Sequence, residues 1–199
     1  MRLPSPVITV FDLEYTAREC SMARHWLTPG EYREIVQIGA VKLDANSFAQ
    51  VDEFSLLVRP RINHQLSPYF QKLTGISQES VTRQGVDFAD AYRLFVAFAD
   101  DGPIAAFGRD DRVLMENIRL YGITDAAPLP VFYDLRGWFA VQGLDPRGMH
   151  SCDIAPALGL SFVGQNHNAL DDARSVAAGM AVMAARGGAK NRLSMRPAA

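Results

Sequence analysis

The chain has 199 residues, 48% of them hydrophobic and 21% charged, which excludes a disordered or low-complexity polymer and fits one α/β domain with a sizeable core. Its formal net charge is −2, so no overall positive field marks it as a nucleic-acid binder. Its 20 basic residues are 17 Arg and 3 Lys; arginine suits two-point contact with phosphate, although a GC-rich genome gives the same skew.

The stretch Val7–Thr16, VITVFDLEYT, opens with a β-branched apolar run that reads as a buried central strand and closes with Asp12 and Glu14. A connection follows over residues 17–33, long enough to be functional or mobile, and it holds His25, Trp26 and Pro29-Gly30. Residues 34–43 form a second strand. A turn at Asp44–Ser47 leads into a third, antiparallel strand over 48–58. Residues 66–73 read as a short helix closed by Gly75, and 88–99 as an amphipathic helix. A fourth strand at 103–107 precedes a helix over 111–121, and a fifth at 129–133 precedes one capped by Asp134 and running to 141. Ser151 opens a short helix ending at Gly159, and a long helix spans 169–186. The expected architecture is a mixed five-stranded sheet, three antiparallel opening strands and then two more, flanked by helices. Residues 1–186 make one domain, and 187–199 a flexible tail.

The N-terminus MRLPSP does not read as a secretion signal, and Cys20 and Cys152 are expected to be reduced thiols in a cytoplasmic protein. The longest apolar helical stretch, Val176–Ala185, is about half of what a bilayer requires, so no membrane role is expected.

Three groups of carboxylates stand where a strand hands over to a helix or loop. Asp12 and Glu14, two apart on an extended chain, project to one side; they are either solvated strand-end residues or a pair that a hard divalent cation neutralises. Asp110 and Asp111 open a helix, where the helix dipole alone would favour them. In HNALDDAR, His167 precedes the last helix and Asp172 lies in its first turn. Asp171 is rotated about 100° from Asp172, so one can face a site while the other caps or meets solvent.

In this order and spacing the motifs resemble the DEDDh family of 3′–5′ exonucleases, over about residues 5–185. Asp12 and Glu14 match its Asp-x-Glu, Asp111 its middle aspartate, and His167 and Asp172 its His-x-x-x-x-Asp. EIVQIGAVKL resembles the family's second strand, with Gln37 at a usual glutamate. LSPYFQKLTGISQESV resembles a segment of the subgroup of KapD-like proteins and the exonucleases that trim histone mRNA and small RNAs. The middle motif departs from the pattern, since Asp110 stands where the subgroup often has an aromatic residue. Gly108, Leu114 and Met115 favour Asp111 over Asp110 as the matching aspartate.

The resemblance implies an RNase H-like fold and hydrolysis of single-stranded nucleic acid from the 3′ end to nucleoside 5′-monophosphates, RNA being favoured over DNA. It implies two divalent ions, Mg²⁺ or Mn²⁺: Asp12, Glu14 and Asp172 at the ion that positions water, Asp12 bridging, and Asp111 at the second. His167 would be the general base. The backbone at Tyr15 and Thr16 would meet the terminal sugar, and Trp26 and Phe70 are candidates to stack on a base. Alternatives are a proofreading or repair subunit acting on DNA, docked through the tail residues Lys190, Arg192 and Arg196, or a nucleic-acid-binding module without catalysis. A homodimer is left open. His25, His64 and His150 show no partner spacing and carry no assigned role.

Overall fold

The computed structural model describes residues 6–100 and 102–187, so the tail lies almost wholly outside the described residues. One five-stranded sheet has the order β3-β2-β1-β4-β5. β1 (Val7–Tyr15) lies at its centre, antiparallel to β2 (Ile35–Asp44), which pairs antiparallel with β3 (Gln50–Leu57). On the other flank β4 (Ile104–Ala106) runs parallel to β1, and β5 (Phe132–Asp134) parallel to β4. The helices are α1 (Pro68–Thr74), α2 (Gln78–Gln84), α3 (Phe88–Ala99), α4 (Asp110–Leu120), α5 (Leu135–Val141), α6 (Ile154–Ala157) and α7 (Ala169–Gly187).

The period of two along the strands sorts the core into two layers. Ile8 and Val10 of β1, with Val41 and Leu43 of β2, face Trp138, Phe139, Ile154, Val176 and Met180 of α5, α6 and α7. Phe11, Leu13, Ile38 and Ala40 point the other way, onto Phe88, Tyr92 and Phe95 of α3 and Val113 and Leu114 of α4. Helices cover both faces, which accounts for the burial of every residue from Ile8 to Phe11 at the start of β1.

The expected elements are present, with four local differences. α2 is an element the sequence reading lacks; Ser77 caps it by accepting from the Ser80 amide. The fifth strand begins at Phe132 rather than 129, because Pro128 and Pro130 have no amide hydrogen for a ladder. Phe48 sits in the left-handed region at φ 54° inside the β2–β3 turn, so β3 starts at Gln50. The helix opened by Ser151 divides into a 3₁₀ turn, Ser151–Asp153, and the short α6.

The start of α7 comes very close to β2. Gly39, which pairs with Asp12, faces the start of α7, and a Cβ there would lie 2.1 Å from the Leu170 nitrogen and 2.2 Å from the Ala169 carbonyl carbon. Beside it, Gln37 accepts a hydrogen bond from the Ala169 amide at 3.0 Å and donates to Ser55. Only glycine lets the helix start rest on the sheet at this level. Gly39→Ala is therefore expected to cost about 1–3 kcal/mol by overpacking, read as a fall in melting temperature of roughly 2–4 °C per kcal/mol. An unchanged thermal transition would show that α7 does not rest on Gly39.

Candidate active site

Because side chains alternate, Asp12 and Glu14 continue the face that carries Ile8 and Val10. The first turn of α7 rests on Gly39, the register partner of Asp12, and so brings Asp172 alongside both carboxylates. Asn168 caps the helix, its Oδ1 accepting from Leu170, while His167 before it takes a left-handed φ of 61°. That turn points the His167 amide at the Asp172 carboxylate and leaves its ring half-buried in a cleft of about 320 Å³. Glu14, His167 and Asp172 each offer a ligand atom within 4.8 Å of the others. Asp171 points elsewhere, bonded to the Gln165 amide and Arg174.

The fourth carboxylate comes from the other flank of β1. After β4 the chain turns through Gly108, at φ 142°, and α4 starts with Asp110 in the cleft wall. This corrects the assignment of Asp111. The Asp111 carboxylate is held by Arg109 at 2.9 and 2.8 Å and does not line the cleft. The reason is helical phase: Asp110 shares its face with Val113, Leu114 and Asn117, all buried, whereas Met115, on which the choice of Asp111 leaned, is half-buried.

Electrostatics mark the cluster as unusual. Burial, reinforced by the charge of Asp172, pushes the Asp12 carboxyl up to about 8, against a hydrogen bond from Ser151. Burial raises Asp172 to about 7. Glu14 and Asp110 are raised well above the carboxylate range, again by burial first and then by their acidic neighbours. Asp172 Oδ1 is buried with no hydrogen-bond partner among the described residues. An all-oxygen set of mutually repelling carboxylates with an orphaned acceptor fits a hard divalent cation, which would neutralise the charge and occupy the free lone pairs. His167 moves the other way: burial and the neighbouring His150 lower its pKa, so its imidazole is neutral at physiological pH.

The expected substrate contacts are partly redrawn. Tyr15 lines the cleft, packed edge-on to Trp26 at 5.4 Å. Trp26 also lines it, anchored by its Nε1 donating to the Thr16 carbonyl at 2.9 Å. Thr16 itself is spent on the framework: its amide donates to Glu34, its hydroxyl to Tyr32, and it faces away from the main cleft. Phe70 touches the cleft but is 1% exposed, packed with Val36, Leu66 and Val81, so it offers no open face for a base. Its neighbour Tyr69, 42% exposed in the same wall, does. Ser151 and His150 are further additions. Ser151 donates to Asp12 at 2.7 Å across 139 positions of sequence, and the His150 ring lies 5.9 Å from that of His167. No local signal exposes a contact that long; for His150, the adjoining helix start was the available hint.

The chain matches the exonuclease (RNase T) family model over residues 9–179. Among curated proteins it is 25% identical to the 3′-5′ exonuclease eri1 of Schizosaccharomyces pombe over 174 residues, covering 72% of this chain and 58% of that protein. It is 24% identical to mouse 3′-5′ exoribonuclease 1 over 187 residues, covering 85% and 50%. The chain thus spans about half the length of the curated relatives it matches. Among solved structures, the nuclease domain of 3′hExo, a DEDDh family member, bound to rAMP, superposes with a TM-score of 0.80 at 22% identity over 98% of both chains. Cell-death related nuclease 4 gives 0.74 at 19% identity, covering 92% of this chain and 65% of that one. Both likenesses show the same RNase H-like fold.

The repulsion in the cluster sets a pH dependence. The folded pKa of Asp12, about 8, lies above its ordinary 3.8, so its contribution to stability is full below about pH 4 and is lost as pH rises toward 8. In EDTA, the melting temperature contributed by this site should fall over that window, and Mn²⁺ should restore it at pH 8 but hardly at pH 5. Asp12→Asn should raise the melting temperature of the ion-free protein at pH 8 by roughly 2–4 °C per kcal/mol of relieved repulsion. Lowered stability in Asp12→Asn at pH 8 without metal would contradict the assignment.

Proposed function

We propose, from the premise that this chain belongs to the exonuclease (RNase T) family, that it removes nucleotides one at a time from the 3′ end of single-stranded nucleic acid and releases nucleoside 5′-monophosphates. The observation that carries this reading is the convergence of Asp12, Glu14, Asp110 and Asp172 with neutral His167 in one open cleft. RNA is the favoured substrate, supported by the likeness to mouse 3′-5′ exoribonuclease 1 and to the rAMP-bound nuclease domain.

The roles follow from the chemistry of phosphodiester hydrolysis, which adds negative charge at phosphorus and needs a deprotonated water. Two divalent ions, Mg²⁺ or Mn²⁺, held by Asp12, Glu14, Asp110 and Asp172, would supply the charge stabilisation and lower the pKa of water. Ser151 holds Asp12 Oδ1 in place through its hydrogen bond. His167, neutral and half-buried, accepts the proton of the attacking water at a ring nitrogen. Tyr15 and Trp26 form a rigid aromatic wall on which the terminal base rests, with Tyr69 offering a second ring farther out. Trp26 is held there with a left-handed backbone, φ 54°, following His25 at φ 53°. Two consecutive non-glycine residues in that region store strain of order 1 kcal/mol or more each, as at sites where a side chain must be aimed. The complete set of acidic residues weighs against a module that keeps the fold without catalysis.

The test is digestion of a 5′-labelled single-stranded RNA with Mg²⁺ or Mn²⁺. A descending ladder from the 3′ end is expected, abolished by EDTA. Asp110→Asn should lower the rate by at least about 100-fold, with Asp111→Asn within a few-fold of wild type; His167→Ala should cost about 10²–10⁴-fold. EDTA-resistant cleavage, or an active Asp110→Asn protein beside an inactive Asp111→Asn protein, would sink the reading.

A further inference from the structure

Four arginines reach the cleft, Arg18, Arg33, Arg109 and Arg136, and they fall into two kinds. Arg33 is paired with Glu116, and its guanidinium also lies 5.8 Å from the Tyr15 ring and 5.7 Å from the Trp26 ring. Arg109 is taken up by Asp111. Neither has its charge free for a substrate. The guanidinium groups of Arg18 and Arg136, by contrast, form no ion pair or hydrogen bond with any described residue. Both side chains are exposed at the cleft.

Arg136 stands in the first turn of α5, its guanidinium 5.3 Å from the centre of the Phe107 ring. Gly108 leaves the gap beside it open: a Cβ there would lie 3.7 Å from Arg136 Cζ and 3.8 Å from Asp110 Oδ2. The cation therefore sits next to a carboxylate of the cluster without bonding to it. A guanidinium stacked on an aromatic ring keeps its N–H edges free and loses little freedom on binding, which suits it to the planar, two-point recognition of a phosphate. Arg18 lies on the other flank of β1, in the connection from β1 to β2, and lines the same cleft. Arg136 therefore enters the cleft beside Asp110, whereas Arg18 enters it from the connection three residues beyond the end of β1.

We propose that these two unpaired arginines grip backbone phosphates of the bound strand from opposite walls of the cleft, Arg136 at the linkage beside the carboxylates and Arg18 at a linkage farther from the 3′ end. This rests on the strand-degrading reading of the same cleft. It gives a chain of net charge −2 a local cationic path for a polyanion, and makes binding dependent on strand length. Arg136 touches the reacting end of every substrate; Arg18 touches only strands long enough to reach it.

Binding is measured in an Asp12→Asn background, which keeps the strand intact, by anisotropy of a 5′-fluorescein RNA trinucleotide and dodecamer over a range of salt. Arg136→Ala should weaken both ligands roughly tenfold, as removal of a charged hydrogen bond would. Arg18→Ala should weaken the dodecamer alone. Each should flatten the dependence of log affinity on log salt by about 0.7, the value for neutralising one phosphate fewer on a single strand. Arg136→Lys should keep the salt slope while recovering part of the affinity. Arg147→Ala, an exposed arginine paired with Asp145 outside the cleft, should change neither. Unchanged affinity and slope in both alanine variants would overturn the proposal, as would an absence of salt-dependent binding in the background protein. If the wild-type enzyme shortens no strand, the proposed reaction fails, and this measurement still decides whether the arginines hold phosphate.

Discussion

Mutual repulsion among four desolvated carboxylates is the constraint on which the rest of this structure depends. Asp12, Glu14, Asp110 and Asp172 are each driven toward protonation by burial and then by acidic neighbours, which for Asp172 are Asp171 and Asp153. Left to itself such a cluster would open to water or trade charge for apolar side chains. It persists because its members are fixed by elements with separate reasons to be where they are. The first pair belongs to the central strand, Asp110 to a helix launched from a parallel neighbour, and Asp172 to a helix seated on Gly39. Stability stored in two packed core layers holds together charges that would otherwise separate, and a bound divalent cation would convert that stored repulsion into binding energy.

Much of this was legible in the sequence because it rests on periodicity. The alternation in VITVFDLEYT puts Asp12 and Glu14 on the face of Ile8 and Val10 without any structure, and Asp171 and Asp172 must diverge on any helix. What was not legible depends on phase and on long-range contact. Asp110 and Asp111 are adjacent, and only the start of α4 decides which faces the cleft. Three buried residues at i+3, i+4 and i+7 from Asp110 carry that phase, and the polar one, Asn117, is buried because it bonds the Ile35 amide and the Arg33 carbonyl. Phe70 and Tyr69 pose the same problem, since hydrophobicity alone nominates the ring that the core absorbs. Ser151 could not have been found, because its partner is remote in sequence and nothing local distinguishes it from an ordinary helix-opening serine.

The proposed substrate is a polyanion, whereas the chain has a formal net charge of −2. Charge is sorted locally: of the four arginines lining the cleft, Arg33 and Arg109 are held in pairs with acidic side chains, whereas Arg18 and Arg136 form an ion pair with no described residue. Formal net charge averages over this sorting and so says little about the partner. In the proposed reaction the aromatic wall of Tyr15 and Trp26 would add a contact indifferent to base identity, which suits stepwise removal of successive nucleotides better than recognition of one sequence.

The central claim, that burial and acidic neighbours push this carboxylate cluster toward protonation and that a divalent ion reverses the push, is tested most directly by calorimetric titration of Mn²⁺ into ion-free protein at pH 7. Performed in two buffers of different ionisation enthalpy, the titration should report release of roughly one proton or more per protein on binding, since the ligand oxygens must be deprotonated. The release should shrink in Asp12→Asn and persist in Asp111→Asn. Tight Mn²⁺ binding with no proton release, or release abolished in Asp111→Asn alone, would contradict it.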